Sequence, residues 1–127
     1  MTAHDVAVFG AANVDLMVRP GDAAIEGISN PAEMLLRLGG AGRNIAAGLA
    51  ALGKTVELVT ALGEDSDGRA IADDCAARGV ELTWLPVKGR TGRYIAILDP
   101  DGDFGAAYND MAIHELTGEL PDEVAER

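Results

Sequence analysis

The sequence is poor in cysteine and in basic residues, and each shortage excludes a class of protein. A single cysteine, Cys75, cannot form an intramolecular disulfide. Only 10 Lys and Arg residues stand against 21 Asp and Glu residues, so the formal net charge is −11. Because the basic residues are scattered, we expect no nucleic-acid partner. The two histidines, His4 and His114, are far apart and lack ligand spacing, so no metal site is predicted.

Long apolar runs are also missing. No stretch approaches the roughly 20 apolar residues that cross a bilayer, so no membrane partner is predicted. The first residues, MTAHDVAV, lack a basic segment followed by an apolar one. Together with the lone cysteine, this start indicates a cytoplasmic protein. A chain of 127 residues is long enough for one compact domain.

The middle of the chain alternates strand and helix signals, which is typical of an α/β fold with a parallel sheet. The first helix follows a glycine-rich segment, and Ile45, Leu49 and Leu52 are spaced to form its apolar face. In the next helix, Cys75 falls on the apolar side and is interpreted as a core residue. The predicted elements are a strand at 5–10, a helix at 43–53, a strand at 55–62, a helix at 69–78 and a strand at 80–87.

Four further strand candidates lie outside this alternation. The segment EMLLRL is compatible with helix or strand, and we interpret it as a strand. The turn sequence from Asp99 to Asp103 joins the last two candidates into a hairpin. The hairpin and the strand at 14–19 predict a small sheet outside the main one, and residues 111–127 predict a short helix and the start of another. The four strand candidates are 14–19, 33–38, 93–98 and 104–108.

One glycine pattern, from Gly48 to Thr55, matches the phosphate-binding sequence GxxxxGK[ST]. A true phosphate loop follows a strand and precedes a helix. Here the order is reversed, because residues 49–52 continue a helix, so we reject a phosphate loop. The dinucleotide pattern GxGxxG also fails, since Ile45 occupies the position of its third glycine.

A second glycine-rich segment, Gly39 to Gly42, leads into Arg43 and Asn44 at a helix start. Glycines let a backbone approach a ligand, and a helix start presents free N–H donors, which suits a polar, neutral ligand. The alternative is a tight turn in which Asn44 satisfies the helix end. Asn13 and Asp15 follow the first strand, where ligands of α/β sheets bind, and could bracket vicinal hydroxyls. Asp15 could instead be a solvated turn residue.

The stretch GGAGRNIAAGLAALGKTVELVTALG, from Gly39 to Gly63, resembles the first signature motif of the ribokinase-like, or PfkB, carbohydrate kinases. VFGAANVDLMV, GEDSDGRAIADDCAARGV and TGRYIAILDPDGDFGAAYND agree with the same family in the same order. GGAGRNIA and DGDFGAAYNDM look most like the pseudouridine kinase branch, and adenosine, inosine and plain sugar kinases remain alternatives. The resemblance implies a ribokinase-like α/β fold: a parallel sheet with flanking helices and a small β lid, here truncated.

The resemblance also implies a site for a small sugar or nucleoside. Asp15 and Asn44 would hydrogen-bond sugar hydroxyls, and Asn13 would support them. The four strands outside the main sheet would form a lid over the sugar, and in several relatives this lid makes a homodimer contact. The remaining candidates are the Gly39, Gly40 and Gly42 backbone and, as further positions, Arg43, Tyr94 and Asn109.

Members of this family are considerably longer and hold their ATP site in the carboxyl-terminal half. A GxGD loop there supplies the general-base aspartate and an anion hole, and no such loop occurs among these 127 residues. The resemblance therefore implies that residues 1–127 are the amino-terminal part of a kinase, with no catalytic residue of their own. ATP and Mg²⁺ would serve the whole kinase, and we expect neither to bind this chain alone. The alternative is a stand-alone, non-catalytic sugar- or nucleoside-binding module.

Overall fold

The computed structural model describes residues 3–85, 87–115 and 122–126. Its strands form two sheets, a three-stranded core sheet and a four-stranded outer sheet. The strands are β1 Val6–Phe9, β2 Asn13–Pro20, β3 Ala32–Gly39, β4 Val56–Ala61, β5 Val80–Leu85, β6 Gly92–Leu98 and β7 Phe104–Asp110. The helices are α1 Ala41–Ala51, α2 Ser66–Ala77, a 3-10 helix at Ala112–His114 and α3 Asp122–Ala125.

The core sheet is parallel, in the order β1-β4-β5, as the strand and helix signals predict. β4 is central, and all six of its residues are buried. On one face Leu58 of β4 packs in a cluster with Ile71 and Cys75 of α2. On the other, Val59 shares a cluster with Ile113. The near-continuous apolar composition of β4 suits a strand covered on both sides.

The outer sheet has the order β3-β2-β6-β7. β2 pairs with β3 in antiparallel register from Asn13 opposite Gly39 to Pro20 opposite Ala32. EMLLRL is therefore a strand, as interpreted, because its backbone groups pair with those of β2. β6 lies parallel to β2, and β6 and β7 form the predicted hairpin.

The predicted apolar face of α1 is right for Leu49, which packs against the core cluster, and wrong for Ile45 and Leu52. Ile45 is 55% exposed and Leu52, just beyond the helix, is 80% exposed. The helix instead buries Gly42 and Ala46. A Cβ on Gly42 would lie 2.6 Å from the carbonyl carbon of Gly10, so the helix approaches the end of β1 too closely for a large side chain. Small residues therefore face the end of β1, and Ile45 turns away from it.

Element ends also differ from the predicted ones. α1 begins at Ala41, two residues earlier than predicted, and α2 begins at Ser66, within the acidic turn that precedes residues 69–78. Asp65 caps α2 by accepting a hydrogen bond from the backbone N–H of Gly68. The prediction for 111–127 falls partly on 116–121 and 127, outside the described residues. No helix in the described ranges is long and apolar enough to cross a membrane.

Candidate functional site

Asn13 and Asp15 lie at the start of β2, where the two sheets meet. Asn13 is 4% exposed, and its Nδ2 donates a hydrogen bond to Asp15 Oδ1. This bond fixes one carboxylate oxygen and leaves Oδ2 as an acceptor. Asp15 is a strand residue paired with Arg37 and Tyr94, so it is not the solvated turn residue of the alternative interpretation.

The glycine segment closes directly over this pair. A Cβ on Gly39 would overlap Asp15 Oδ2. Gly40 has a φ of 96°, and a Cβ there would overlap the Ala11 carbonyl oxygen and lie 2.7 Å from Asn13 Oδ1. The structure therefore brings these two glycines against the two predicted polar residues. Only residues without a side chain fit at both positions.

Arg43 and Asn44 lie in the first turn of α1. The Asn44 side chain does not cap the helix, because the N-cap is Gly40 and no side chain there makes a capping bond. Arg43 is directed toward α2, where its Nη2 and Nε donate to Asp74 Oδ2 at 2.8 and 3.2 Å. Its Nη1 donates to Asn44 Oδ1 at 3.1 Å. All three kinds of guanidinium nitrogen are thus engaged within the protein.

A polar row crosses the outer sheet through Asp15. Residues directly opposite on neighbouring strands place their side chains on the same face. Sequence reasoning missed Arg37. The antiparallel register could have identified it, because Gly39 opposite Asn13 requires Arg37 opposite Asp15. In sheet order the row is Arg37, Asp15, Tyr94 and Asn109, so the further candidates Tyr94 and Asn109 lie beside Asp15.

The next row on the same face is apolar. Its member in β2 is Met17, two residues beyond Asp15. The face therefore combines a polar row near the core sheet with an apolar row beyond it. This second row consists of Leu35, Met17, Ala96 and Ala107.

Gly92 and His114 lie beside Asn13. A Cβ on Gly92 would be 3.1 Å from His114 Nε2 and 3.3 Å from the Asn13 Cβ. Burial lowers the pKa of His114, although a hydrogen bond with the Ala12 backbone opposes the shift. Within the part of the chain that the structure describes, His114 Nε2 has no partner. The described residues also contain no group of three or more His, Cys, Asp or Glu side chains that could hold a metal ion.

Comparison with known proteins identifies the family of this chain. Residues 3–127 match the sequence family described as pfkB family carbohydrate kinase. Over 110 residues, the chain is 36% identical to the pseudouridine kinase of Escherichia coli (strain K12). That match covers 85% of this chain and 35% of the relative. The chain therefore spans about a third of the length of this curated relative.

Solved structures show the same arrangement of strands and helices. Arabidopsis thaliana ribokinase complexed with ribose and ATP superposes with a TM-score of 0.83 at 27% identity, covering 98% of this chain and 42% of that one. A carbohydrate kinase from Agrobacterium tumefaciens gives 0.75 at 33% identity, covering 84% and 35%. The fold is the predicted ribokinase-like α/β fold. The chain belongs to the pfkB family of carbohydrate kinases.

Proposed function

We propose that this chain is the substrate-binding part of an ATP-dependent kinase that phosphorylates a hydroxyl of a sugar or nucleoside. The observation that carries the proposal is the Asn13–Asp15 pair held against the backbone of Gly39 and Gly40. Asp15 offers a free carboxylate oxygen, and the exposed Asn44 offers amide donors. Vicinal hydroxyls both donate and accept hydrogen bonds, so they match such a pair.

Phosphoryl transfer would require groups that the described residues do not offer. Gly48 to Thr55 runs from α1 into β4, so it lacks the strand-to-helix geometry of a phosphate loop. The described residues also include no acidic cluster suited to Mg²⁺. We therefore assign ATP and Mg²⁺ to residues beyond this chain and expect no turnover from it alone. The ribokinase solved with ribose and ATP supports ATP as the phosphoryl donor. A cytoplasmic location of this chain stays a prediction.

A nucleoside is the substrate class we favour. The apolar row at Met17, beyond the polar row at Asp15, offers a surface for a base next to a surface for a ribose. The similarity to a pseudouridine kinase supports the same choice. Pseudouridine is therefore the first ligand to test, followed by adenosine and ribose.

Calorimetric titration of the 127-residue chain with these three compounds tests the proposal. We expect binding that weakens by about tenfold or more in Asp15→Ala, because the variant loses a charged acceptor. Asp22→Ala is the matched control, since Asp22 is exposed in the loop between β2 and β3. Equal binding by wild type and Asp15→Ala would contradict the proposed site. Phosphorylation by the chain and ATP alone would contradict the assignment of catalysis to residues beyond it. Binding without turnover would also fit the non-catalytic module.

We also propose that the outer sheet acts as a lid that pairs with a second copy of the chain. The face opposite Asp15 is apolar over two rows, and four of its side chains are exposed. Such a surface favours association through apolar burial. The exposed members are Met34, Leu36, Ile97 and Tyr108, with exposed fractions of 65, 62, 38 and 67%.

Light scattering over a concentration series tests the pairing. We expect a dimer that dissociates in Leu36→Lys, because a charge would be buried in the contact. Leu52→Lys is the control, since Leu52 is 80% exposed just after α1. A monomer at all concentrations, or equal dissociation in both variants, would contradict the pairing.

A further inference from the structure

Arg43 links the proposed sugar site to α2. Its side chain is only 14% exposed, and that of Asp74 is 21% exposed. The guanidinium donates through Nη2 and Nε to Asp74 Oδ2 and through Nη1 to Asn44 Oδ1. Two nitrogens are thus anchored on α2, and the third reaches a neighbour on α1. A planar group held at two nitrogens has little freedom at the third.

Asp74 is itself held firmly. Arg78 Nε donates to both of its oxygens, at 3.0 and 3.1 Å. Burial raises the pKa of Asp74, but hydrogen bonds and charge from Arg43 and Arg78 outweigh it, so the pKa lies below its usual value. The carboxylate therefore remains ionised at neutral pH and keeps both arginines in place.

The contact with Arg43 determines how Asn44 can act. Arginine offers only donors, so the Asn44 amide must present its oxygen to Arg43. The amide nitrogen then points away from Arg43, and it makes no hydrogen bond within the part of the chain that the structure describes. Asn13 has the corresponding role for Asp15, because it occupies one carboxylate oxygen and leaves the other as an acceptor. Arg43 thus leaves the Asn44 amide as a donor, and Asn13 leaves the Asp15 carboxylate as an acceptor.

We infer that Arg43 is a positioning residue, which uses its anchor on Asp74 to fix the Asn44 amide with its nitrogen available to a sugar hydroxyl. This inference rests on the proposed function for the role of Asn44, and it assigns Arg43 no contact with the substrate. Asp74 takes part in this positioning because it holds Arg43, although it lies on α2. The resemblance had made Arg43 a candidate substrate contact, and the geometry gives it an indirect role.

The variants that test this inference are Arg43→Lys and Asp74→Asn. Lysine keeps the charge but cannot bridge a carboxylate and an amide with a rigid fork. Asparagine keeps the shape of Asp74 and removes its charge. Asp73→Asn is the matched control, because it makes the same chemical change as Asp74→Asn at an exposed position of the same helix.

The first measurement is the NMR order parameter of the Asn44 side-chain amide in the full 127-residue chain without ligand. We expect a large drop in Arg43→Lys and Asp74→Asn and little change in Asp73→Asn. An amide that is equally ordered in all four proteins would overturn the inference. This readout does not depend on any sugar binding, so it separates a failure of the inference from a failure of the proposed function.

The second measurement is the affinity for pseudouridine in a double-mutant cycle with Asn44→Ala. We expect Arg43→Lys to weaken binding about tenfold when Asn44 is present and to have little further effect when it is absent. A loss of the same size in both backgrounds would show that Arg43 acts independently of Asn44, and the inference would be wrong. Loss of all binding in wild type would overturn the proposed function and leave the NMR result to decide the positioning role.

Discussion

The core sheet and the outer sheet treat their apolar residues in opposite ways. In β4 all six residues are buried, including Leu58 at 0% exposure. In β3 five consecutive residues are exposed, and three of them are the apolar Met34, Leu35 and Leu36. Both strands are rich in apolar residues, so composition does not separate them. What differs is the number of layers that cover each strand.

This contrast indicates two different roles for apolar residues in the two sheets. Burying a leucine side chain contributes roughly 1.5–3 kcal/mol, so the apolar residues of β4 stabilise the fold. Exposed apolar residues in β3 contribute little of this kind in an isolated chain. We infer that their value lies in contacts with a ligand on the face of Asp15 and with another surface on the opposite face. The core sheet holds the molecule together, and the outer sheet presents surfaces.

The largest expected effect comes from shortening one leucine in each sheet. Leu58→Ala should destabilise the chain by about 3 kcal/mol, because it leaves a cavity in a fully buried cluster. Leu36→Ala should cost less than about 0.5 kcal/mol in a dilute sample, because Leu36 is 62% exposed. Denaturant unfolding of both variants at low concentration measures the difference. Similar losses would mean that the two sheets do not differ as argued.

A second pair of variants compares two glycines at opposite ends of α1. Gly40→Ala should cost about 2 kcal/mol and abolish sugar binding, because Gly40 has a φ of 96° and a Cβ there overlaps the Ala11 carbonyl. Gly48→Ala should instead stabilise the chain by about 0.5–1 kcal/mol, since a Cβ there meets nothing within 4 Å in the described structure. Thermal unfolding and calorimetric titration measure both. A stabilised Gly40→Ala would contradict the close approach between the glycine segment and Asn13.

Much of the fold was predictable because its signals are local. Strands such as β4 are rich in β-branched and apolar residues, the helices follow glycine-rich or acidic turns, and the hairpin turn lies between β6 and β7. The face of α1 was not predictable in this way. Its periodicity pointed to Ile45, whereas close approach to β1 selects Gly42 and Ala46. Periodicity describes which residues share a face, and only the partner decides which face is buried.

The candidate site divides along the same line. Asn13, Asp15 and the glycines are close in sequence to the elements that position them, so motif reasoning could identify them. Arg37 depends on strand register, and the contact of Arg43 with Asp74 joins residues 31 positions apart. A single sequence contains no local signal for such a contact.

The smallest expected effect concerns Asp65, which joins the two sheets. Its carboxylate caps α2 at Gly68 and accepts hydrogen bonds from the Thr91 N–H and hydroxyl, next to the start of β6. Burial raises the pKa of Asp65, but the bonds from Thr91 and Gly68 outweigh it, so the pKa lies below its usual value. A carboxyl with a lowered folded-state pKa stabilises the fold above its unfolded pKa of about 3.9, and this contribution is lost as pH falls through the folded value.

Asp65→Asn should therefore cost about 1 kcal/mol at pH 7, because asparagine keeps the shape of the cap but loses its charge and one of its two acceptor oxygens. The difference from wild type should shrink as the pH falls below about 4 and through the lower pKa of the folded Asp65 carboxyl. Asp67→Asn is the control, because Asp67 pairs with Arg93, which is 64% exposed. Its loss should be smaller and should fade in high salt, since exposed ion pairs are screened. Denaturant unfolding between pH 3 and pH 7 checks both variants. If Asp65→Asn kept its full deficit at about pH 3, the deficit would come from the lost acceptor oxygen and not from the lost charge.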